Sequence, residues 1–122
     1  MGTTLMLTTK LSRTPQAGRE ARAAVAALAE WLGPARTEDA RLLLTELAAN
    51  AVKHGEGSIL LSVEIADGRA RFSVCDDGHA EPHVRPEPGA DGGWGLRIVD
   101  RLADRWGVTR PGTRVWFELA VC

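Results

Sequence analysis

Two runs of alternating apolar residues, separated by a short polar turn, form the clearest pattern in the chain. The turn is Asp67-Gly68, and this dipeptide between alternating runs is a strong signal for a two-residue β-hairpin. Such a turn pairs Ala66 with Arg69 and sets the register along both strands. The apolar pairs expected on the core-facing side are Ile65 with Ala70, Val63 with Phe72, and Leu61 with Val74. The pattern therefore predicts an antiparallel hairpin that buries one face.

The same register gives Asp76 an unusual position. It falls opposite Ile59 on the core-facing side, where an ionised carboxylate is costly unless a partner compensates it. An alternative interpretation places Asp76 just beyond the strand end, where it caps a turn with Gly78. The first interpretation makes Asp76 a candidate ligand-binding group, and the second makes it a turn residue.

Three segments have apolar residues at the spacing of amphipathic helices. The first follows Thr14-Pro15, an N-cap and first-turn proline, and ends at Gly33-Pro34. The second begins with Thr37 as its N-cap and ends before Gly55, and the third ends at Gly107. The three apolar stripes are Val25, Leu28, Ala29 and Leu32; Leu43, Leu44, Leu47 and Ala51; and Leu96, Val99, Ala103 and Trp106.

Two further segments are predicted to be strands. Residues 5–9 form a short first strand, and residues 113–121 alternate so that Thr113 lies on the core-facing side where the strand begins. Alternating strands combined with amphipathic helices predict a two-layer α/β sandwich. In this fold the helices cover one face of a mixed, mainly antiparallel sheet.

Length and composition restrict the class of protein. At 122 residues the chain is predicted to be a single domain, residues 1–122. A net charge of -1 leaves no basic excess for phosphate neutralisation, so direct nucleic-acid binding is not expected. No apolar run approaches the roughly 20 residues of a membrane span. Cys75 and Cys122 have no metal-type spacing, and we interpret them as reduced thiols of a cytoplasmic protein.

The end of the second helix carries polar side chains beside its apolar stripe. Glu46 and Asn50 are four residues apart, so they stack one turn above the other, and Lys53 and His54 extend the polar row. A glutamate and an asparagine at this spacing can share one divalent ion or orient one nucleophile. An ordinary solvated helix flank has the same composition, so this segment alone leaves both interpretations open.

Together these features predict a nucleotide site. Asp76 and Thr113, both core-facing, can recognise a flat heteroaromatic amine such as adenine. Lys53 and the N–H groups at the start of the third helix can bind phosphates, and Asn50 can help to hold Mg²⁺. The segment 77–93 lacks periodicity and is longer than most loops, which favours a lid over the site.

Four motifs, in order and over nearly the whole chain, resemble those of the GHKL ATPases, the superfamily that includes gyrase and the histidine kinases. Glu46–His54 is similar to the N box, and Val74–Gly78 is similar to the first glycine box. Gly93–Asp100 resembles the second glycine box, and Gly112–Phe117 resembles the last motif. The small size is most similar to the stand-alone anti-sigma-factor serine/threonine kinases. The resemblance implies the Bergerat ATP-binding fold, with ATP and Mg²⁺ as cofactors.

The resemblance also implies roles for individual residues. Asn50 would bind Mg²⁺, and Glu46 would be the general base that orients or deprotonates a serine hydroxyl. Asp76 would contact the adenine amino group, with Thr113 supporting it. Gly78, Gly93, Gly95 and Leu96 would line the nucleotide pocket and the lid hinges. The remaining residues predicted to bind the nucleotide are Lys53, His54 and Trp94.

Two positions depart from the family pattern. Ala80 stands where the first glycine box usually has a second glycine, which implies a lid that moves less. Trp94 stands between the lid glycines, where its ring could cover the nucleotide or pack against the protein. Neither departure removes a group that ATP binding needs.

The function implied by the resemblance is a kinase that phosphorylates an anti-sigma-factor antagonist and sequesters a sigma factor. The alternatives are a non-catalytic ATP-binding regulator that acts by protein–protein interaction, and a structural interaction domain that binds no nucleotide. Related kinases often dimerise, so the outward sheet face is predicted to be a homodimer or partner surface. The outward positions are Leu60, Ser62, Glu64, Arg71, Ser73, Arg114, Trp116 and Glu118.

Overall fold

The computed structural model describes residues 3–78 and 95–121. Within these residues the helices are α1 (Ala17–Ala26), α2 (Ala29–Leu32), α3 (Pro34–His54) and α4 (Gly95–Leu102). The strands are β1 (Thr3–Leu11), β2 (Ile59–Ala66), β3 (Arg69–Asp76), β4 (Arg105–Thr109) and β5 (Thr113–Ala120). No helix of this described part is long and apolar enough to cross a bilayer.

The described strands form one sheet in the order β1-β2-β3-β5-β4, and each neighbouring pair is antiparallel. Buried and more exposed side chains alternate along β2 and β5, as expected when only one sheet face packs on helices. The inward residues form a single core with the buried residues of the helices. The predicted two-layer α/β sandwich is therefore confirmed, and the described sheet contains no parallel pair.

The β2–β3 hairpin has the register predicted from the sequence. Ala66 pairs with Arg69, and the apolar pairs follow in the expected order. Asp67 and Gly68 form the turn with φ angles of 51° and 75°. Two central residues with positive φ are typical of a type I′ turn, whose twist matches that of the flanking strands.

The helix starts differ from the sequence prediction. Thr14 is not the N-cap of α1; that position is Gln16, whose N–H donates to the Thr14 hydroxyl oxygen at 3.1 Å. The predicted first helix is interrupted and continues as α2. Thr37 is not the N-cap of α3, because the helix begins at Pro34 with Gly33 as its N-cap. Proline is favoured at the first helical position, and the Thr37 hydroxyl instead donates to the Gly33 carbonyl at 2.7 Å.

The third predicted helix is too long. α4 ends at Leu102, and Trp106 and Gly107 belong to β4. Trp106 pairs with Phe117 on the inward side, whereas Gly107 pairs with Trp116 on the outward side. The prediction was wrong because an inward strand residue continued the helical spacing, and because Gly107 has the composition of a helix terminator.

The core brings the end of α3 to the end of β3. Phe72 and Phe117 stack at its centre with ring centroids 4.9 Å apart. The predicted apolar stripe of α3 is buried as expected, and α3 packs against both β3 and α4. Gly55, directly after α3, therefore lies beside the carboxylate of Asp76, at the end of β3.

Candidate functional site

The centre of the site is the point where the end of β3 lies beside the start of β5. Asp76, the last residue of β3, pairs with Thr113, the first residue of β5. Both are buried, with 6% and 4% of their surfaces exposed. The sequence predicted that both face the core, and the structure makes them direct cross-strand neighbours.

The two carboxylate oxygens of Asp76 have different surroundings. Oδ1 accepts the N–H of Gly78 at 2.6 Å and the N–H of Glu56 at 3.3 Å. The bond from Gly78 is a turn cap, so Asp76 is both the buried last residue of β3 and the cap of the turn that follows. Oδ2 makes no hydrogen bond to any residue that the structure describes. Because a buried carboxylate needs donors, Oδ2 is an acceptor available to a ligand.

Three glycines surround Asp76 so closely that side chains there would displace it. A Cβ on Gly55 would collide with the carboxylate, and a Cβ on Gly78 would lie 2.8 Å from Oδ1. A Cβ on Gly112 would lie 2.5 Å from the Asp76 carbonyl oxygen, and Gly112 also has a φ of 70°. The backbone can therefore approach the buried acceptor without a side chain between them.

Thr113 connects the segment after β3 to the start of β5. Its hydroxyl donates to the carbonyl of Gly78 at 3.1 Å and accepts from Nη1 of Arg110 at 3.0 Å. The same Arg110 nitrogen donates to the Gly112 carbonyl at 2.9 Å. Arg110 was missed by the sequence analysis, because an arginine in a β-turn has no periodic signal.

The polar flank of α3 is oriented as predicted. Glu46 and Asn50 lie one turn apart at the edge of the buried stripe, and both are half-buried. Neither side chain makes a hydrogen bond or ion pair within the described ranges 3–78 and 95–121. Lys53 and His54 lie in the last turn of α3 and are exposed.

An arginine that the sequence analysis missed ties the end of α3 to the segment that follows. Arg13 donates from Nη1 to the Ala51 carbonyl at 2.8 Å and from Nε to the Gly57 carbonyl at 3.0 Å. Glu56, next to Gly57, is the residue whose N–H reaches Asp76. Arg13 is far from these residues in the sequence, so no local pattern indicates the contact.

The second glycine motif is described only in part. Gly95 begins α4, and Leu96 is buried in the core with 4% of its surface exposed. Of the predicted lid over residues 77–93, only Asp77 and Gly78 are described. The predictions that lie outside the described residues concern Ala80, Gly93, Trp94 and Cys122.

The side-chain oxygens of this site suit Mg²⁺, which keeps several water ligands, better than they suit a metal ion whose ligands all come from the protein. The described residues contain no group of three His, Cys, Asp or Glu side chains that could hold a metal ion. Magnesium prefers oxygen ligands, retains several waters and is usually bound together with substrate phosphates. The amide oxygen of Asn50 fits that mode of binding.

The fold defines the class of protein to which this chain belongs. Residues 11–119 match the family described as "Histidine kinase-like ATPase domain". Because the match covers nearly the whole chain, the chain belongs to this family. The predicted membership of the GHKL superfamily is thereby confirmed. Domains of this kind bind ATP, usually with Mg²⁺.

A solved structure has the same fold. It is the "Histidine kinase domain from Erythrobacter litoralis EL346 blue-light activated histidine kinase", with a TM-score of 0.54 and 21% sequence identity. The alignment covers 85% of this chain and 60% of that chain, so this chain corresponds to less than two thirds of it. No curated protein matches the sequence.

Proposed function

We propose that this protein is an ATP-dependent serine/threonine kinase that phosphorylates an anti-sigma-factor antagonist. The observation that carries the proposal is the position of Glu46. Its carboxylate is half-buried, lies one turn before Asn50, and has no partner among the described residues. A carboxylate held in this way can orient a hydroxyl and accept its proton, a function that nucleotide binding alone does not require.

The remaining polar groups have complementary roles in the proposed reaction. Oδ2 of Asp76 accepts a hydrogen bond from the adenine amino group, and Thr113 keeps the strand ends in place. Asn50 would hold the metal through its amide oxygen, and the side chains of Lys53 and His54 would donate hydrogen bonds to phosphate. Magnesium, when bound, would neutralise charge on the phosphates.

The glycine-rich parts of the chain complete the proposed nucleotide site. Gly78 and Leu96 would line the pocket, because Gly78 contacts Asp76 and Leu96 is in the first turn of α4. Gly93 and Gly95 would contribute to the hinges of the lid. The free N–H groups at the start of α4 would face the phosphates.

The proposed kinase acts between two protein partners in the cytoplasm. It would transfer a phosphoryl group to a serine or threonine of the antagonist, and it would sequester a sigma factor when the antagonist is phosphorylated. Catalysis would depend mainly on positioning and on charge stabilisation, because phosphoryl transfer needs little covalent assistance from the protein.

A second function is a non-catalytic regulator that holds its partner in an ATP-dependent manner. Membership of the histidine kinase-like ATPase family favours it, because membership supports nucleotide binding without specifying a transfer reaction. In that case Glu46 would be a solvated flank residue with no effect on chemistry.

Glu46→Gln separates these two functions. We expect the variant to bind Mg-ATP as tightly as the wild type, because glutamine preserves size and polarity. We expect radiolabel transfer from ATP to a candidate antagonist to fall by about 10²- to 10⁴-fold, the usual contribution of a general base.

Glu56→Gln is the matched control. The Glu56 carboxylate is exposed, and this residue contacts the site only through its backbone. Undiminished transfer in Glu46→Gln would disprove the assignment of the base, and ATP binding without any transfer by the wild type would favour the regulator.

A further inference from the structure

The sheet surface opposite the helices, here called the outer face, has a strong excess of positive charge. It consists of the side chains that alternate with the buried ones along β1 to β5. Its exposed cations are Lys10, Arg69, Arg71, Arg105 and Arg114, and its described carboxylates are those of Glu64 and Glu118. The whole chain has a net charge of only -1, so the fold concentrates cations on this face.

Most of these cations surround one carboxylate that cannot neutralise them all. Glu118, whose side chain is 14% exposed, lies 3.6 Å from Arg69, 3.8 Å from Arg71 and 3.8 Å from Arg105. These distances exceed those of good hydrogen bonds, and the three arginine side chains are 57%, 48% and 66% exposed. Each guanidinium has five N–H donors, so donors remain for further carboxylates.

Apolar groups lie beside this charge. Met6 is 69% exposed and Leu60 is 40% exposed, both on the outer face. An open depression of about 380 Å³ lies between the strands. It is lined by the hydroxyl side chains of Thr8, Ser62 and Ser73, and also by Met6, Arg114 and Trp116. Such a depression can accept an apolar side chain while the guanidinium groups beside it bind carboxylates.

The packing of Trp116 argues against a nucleic acid as the occupant. The guanidinium of Arg71 lies 4.0 Å from the centre of the indole ring. On β4, Gly107 lies so close that a Cβ there would be 2.8 Å from the ring. Because both neighbours already cover the indole, it does not provide the open face on which a base would stack.

The charge likewise argues against a second copy of this chain. Two outer faces placed together would bring two cation-rich surfaces into contact, which is unfavourable at an interface. A protein segment that combines carboxylates with an apolar side chain complements both the guanidinium groups and the depression. Electrostatic complementarity of this kind determines partner choice and association rate.

We propose that the outer face is a docking site for an acidic protein segment carrying an apolar anchor residue. Carboxylates of the segment bind Arg71 and Arg114, and the anchor occupies the depression beside Met6. This surface lies on the side of the sheet opposite the helix layer that contains Glu46. Docking therefore goes beyond the proposed kinase function and is expected whether or not phosphotransfer occurs.

The test is an amide-proton NMR titration with a short synthetic peptide in which glutamates surround one leucine. We expect shifts confined to the strands of the sheet and to the indole of Trp116, with none in the helices α1 to α3. The same peptide with glutamine in place of every glutamate should bind at least about tenfold more weakly, and added salt should weaken the acidic peptide. The double variant Arg71→Gln and Arg114→Gln should lose binding by about tenfold or more, with unchanged Mg-ATP affinity.

Two controls keep the result interpretable. Arg19→Gln removes an exposed cation on α1, away from the sheet, and should leave peptide binding unchanged. If the double variant does not fold, Met6→Ser tests the anchor site at an exposed position. Equal binding of the two peptides, or no shifts, would overturn the proposal. Tighter binding of an oligonucleotide or of phosphatidylserine vesicles, or a dimer through this face by light scattering, would assign it to a different occupant.

Discussion

The two carboxylate oxygens of Asp76 differ in their hydrogen bonds, and we expect only one of them to be available to a ligand. Oδ1 accepts two backbone N–H groups and fixes the turn after β3. Oδ2 is within a buried environment but has no donor among the described residues. Adenine carries an exocyclic amine that can supply this donor, whereas the neighbouring glycines leave no side chain in the way.

Asp76→Asn should therefore weaken ATP binding without unfolding the protein. Asparagine can keep an acceptor oxygen for Gly78 and Glu56, but it places an NH₂ group where Oδ2 would meet the amine. The two NH₂ groups would then face each other as donors, and the hydrogen bond from the amine to the charged carboxylate would be lost. Such a bond contributes about 1.5–3 kcal/mol, or roughly ten- to hundredfold in affinity. Titration calorimetry with Mg-ATP measures the change.

Asp77→Asn is the control for that variant. Asp77 is the adjacent carboxylate, but it is exposed, and its Oδ2 accepts from the Ser58 N–H at 3.3 Å. We expect its ATP affinity to stay close to that of the wild type. Equal losses in the two variants would show that Asp76 acts through local structure and not through recognition of the base.

The sequence predicted that Asp76 and Thr113 face the core, but it did not predict their hydrogen-bond partners. The hairpin register places Asp76 on the core side because strand side chains alternate strictly, and the same rule places Thr113. The bonds from Glu56 and Arg110 were not predictable, because they depend on how separate segments meet in space. Direct pairing of Asp76 with Thr113 requires β5 to lie beside β3, which alternation alone does not specify.

At the scale of the elements, the end of α3 depends on a side chain from the segment after β1. Arg13 donates to the carbonyls of Ala51 at 2.8 Å, Val52 at 3.2 Å and Gly57 at 3.0 Å. The last carbonyls of a helix have no partner within it, and the negative end of its dipole favours a cation. Arg13 therefore stabilises both the last turn of α3 and the segment that leads to Glu56.

Arg13→Ala should lower the free energy of unfolding by about 1–3 kcal/mol, because hydrogen bonds from a charged donor are lost at the helix end. Arg13→Lys should be intermediate, since an ammonium keeps the charge but not the planar donor geometry. Urea denaturation followed by circular dichroism measures both changes.

Arg19→Ala is the control, because Arg19 is an exposed arginine on α1. We expect it to change the free energy of unfolding by no more than about 0.5 kcal/mol. Similar losses in Arg13→Ala and Arg19→Ala would contradict the capping role.

The element boundaries were predicted correctly where one local sequence signal acted alone. They were predicted wrongly where two signals competed. The hairpin turn was correct because Asp67-Gly68 has a single strong interpretation. α3 begins at Pro34 and not at Thr37, because a proline at the first helical position outweighed a capping side chain. The strand β4 was missed because its five residues include Gly107 and follow a helix with the same apolar spacing.

At the scale of the whole molecule, the two faces of the sheet carry different sets of polar groups, and the composition averages them together. The inner layer carries Asp76, Thr113 and the polar flank of α3, whereas the outer face carries the excess of cations. A net charge of -1 gave no sign of this separation, because charges on other surfaces balance those of the outer face. The difference in charge between the two faces follows from the strand order and register. The sequence predicted these for only one hairpin.

Nucleotide binding should stabilise the whole domain, because a ligand that binds only the folded state shifts the unfolding equilibrium. At a concentration of Mg-ATP about 100 times the dissociation constant, the stabilisation is about 2.7 kcal/mol. For a domain of this size that corresponds to a rise in Tm on the order of 10 °C in a thermal shift assay. Removing Mg²⁺ with EDTA should reduce the rise, Glu46→Gln should preserve it, and Asp76→Asn should remove about half of it or more. GTP is the decisive comparison, because guanine has a carbonyl where adenine has its exocyclic amine and would place an acceptor against Oδ2. An equal rise with GTP would show that Asp76 does not read the base, and no rise with Mg-ATP would contradict the nucleotide site itself.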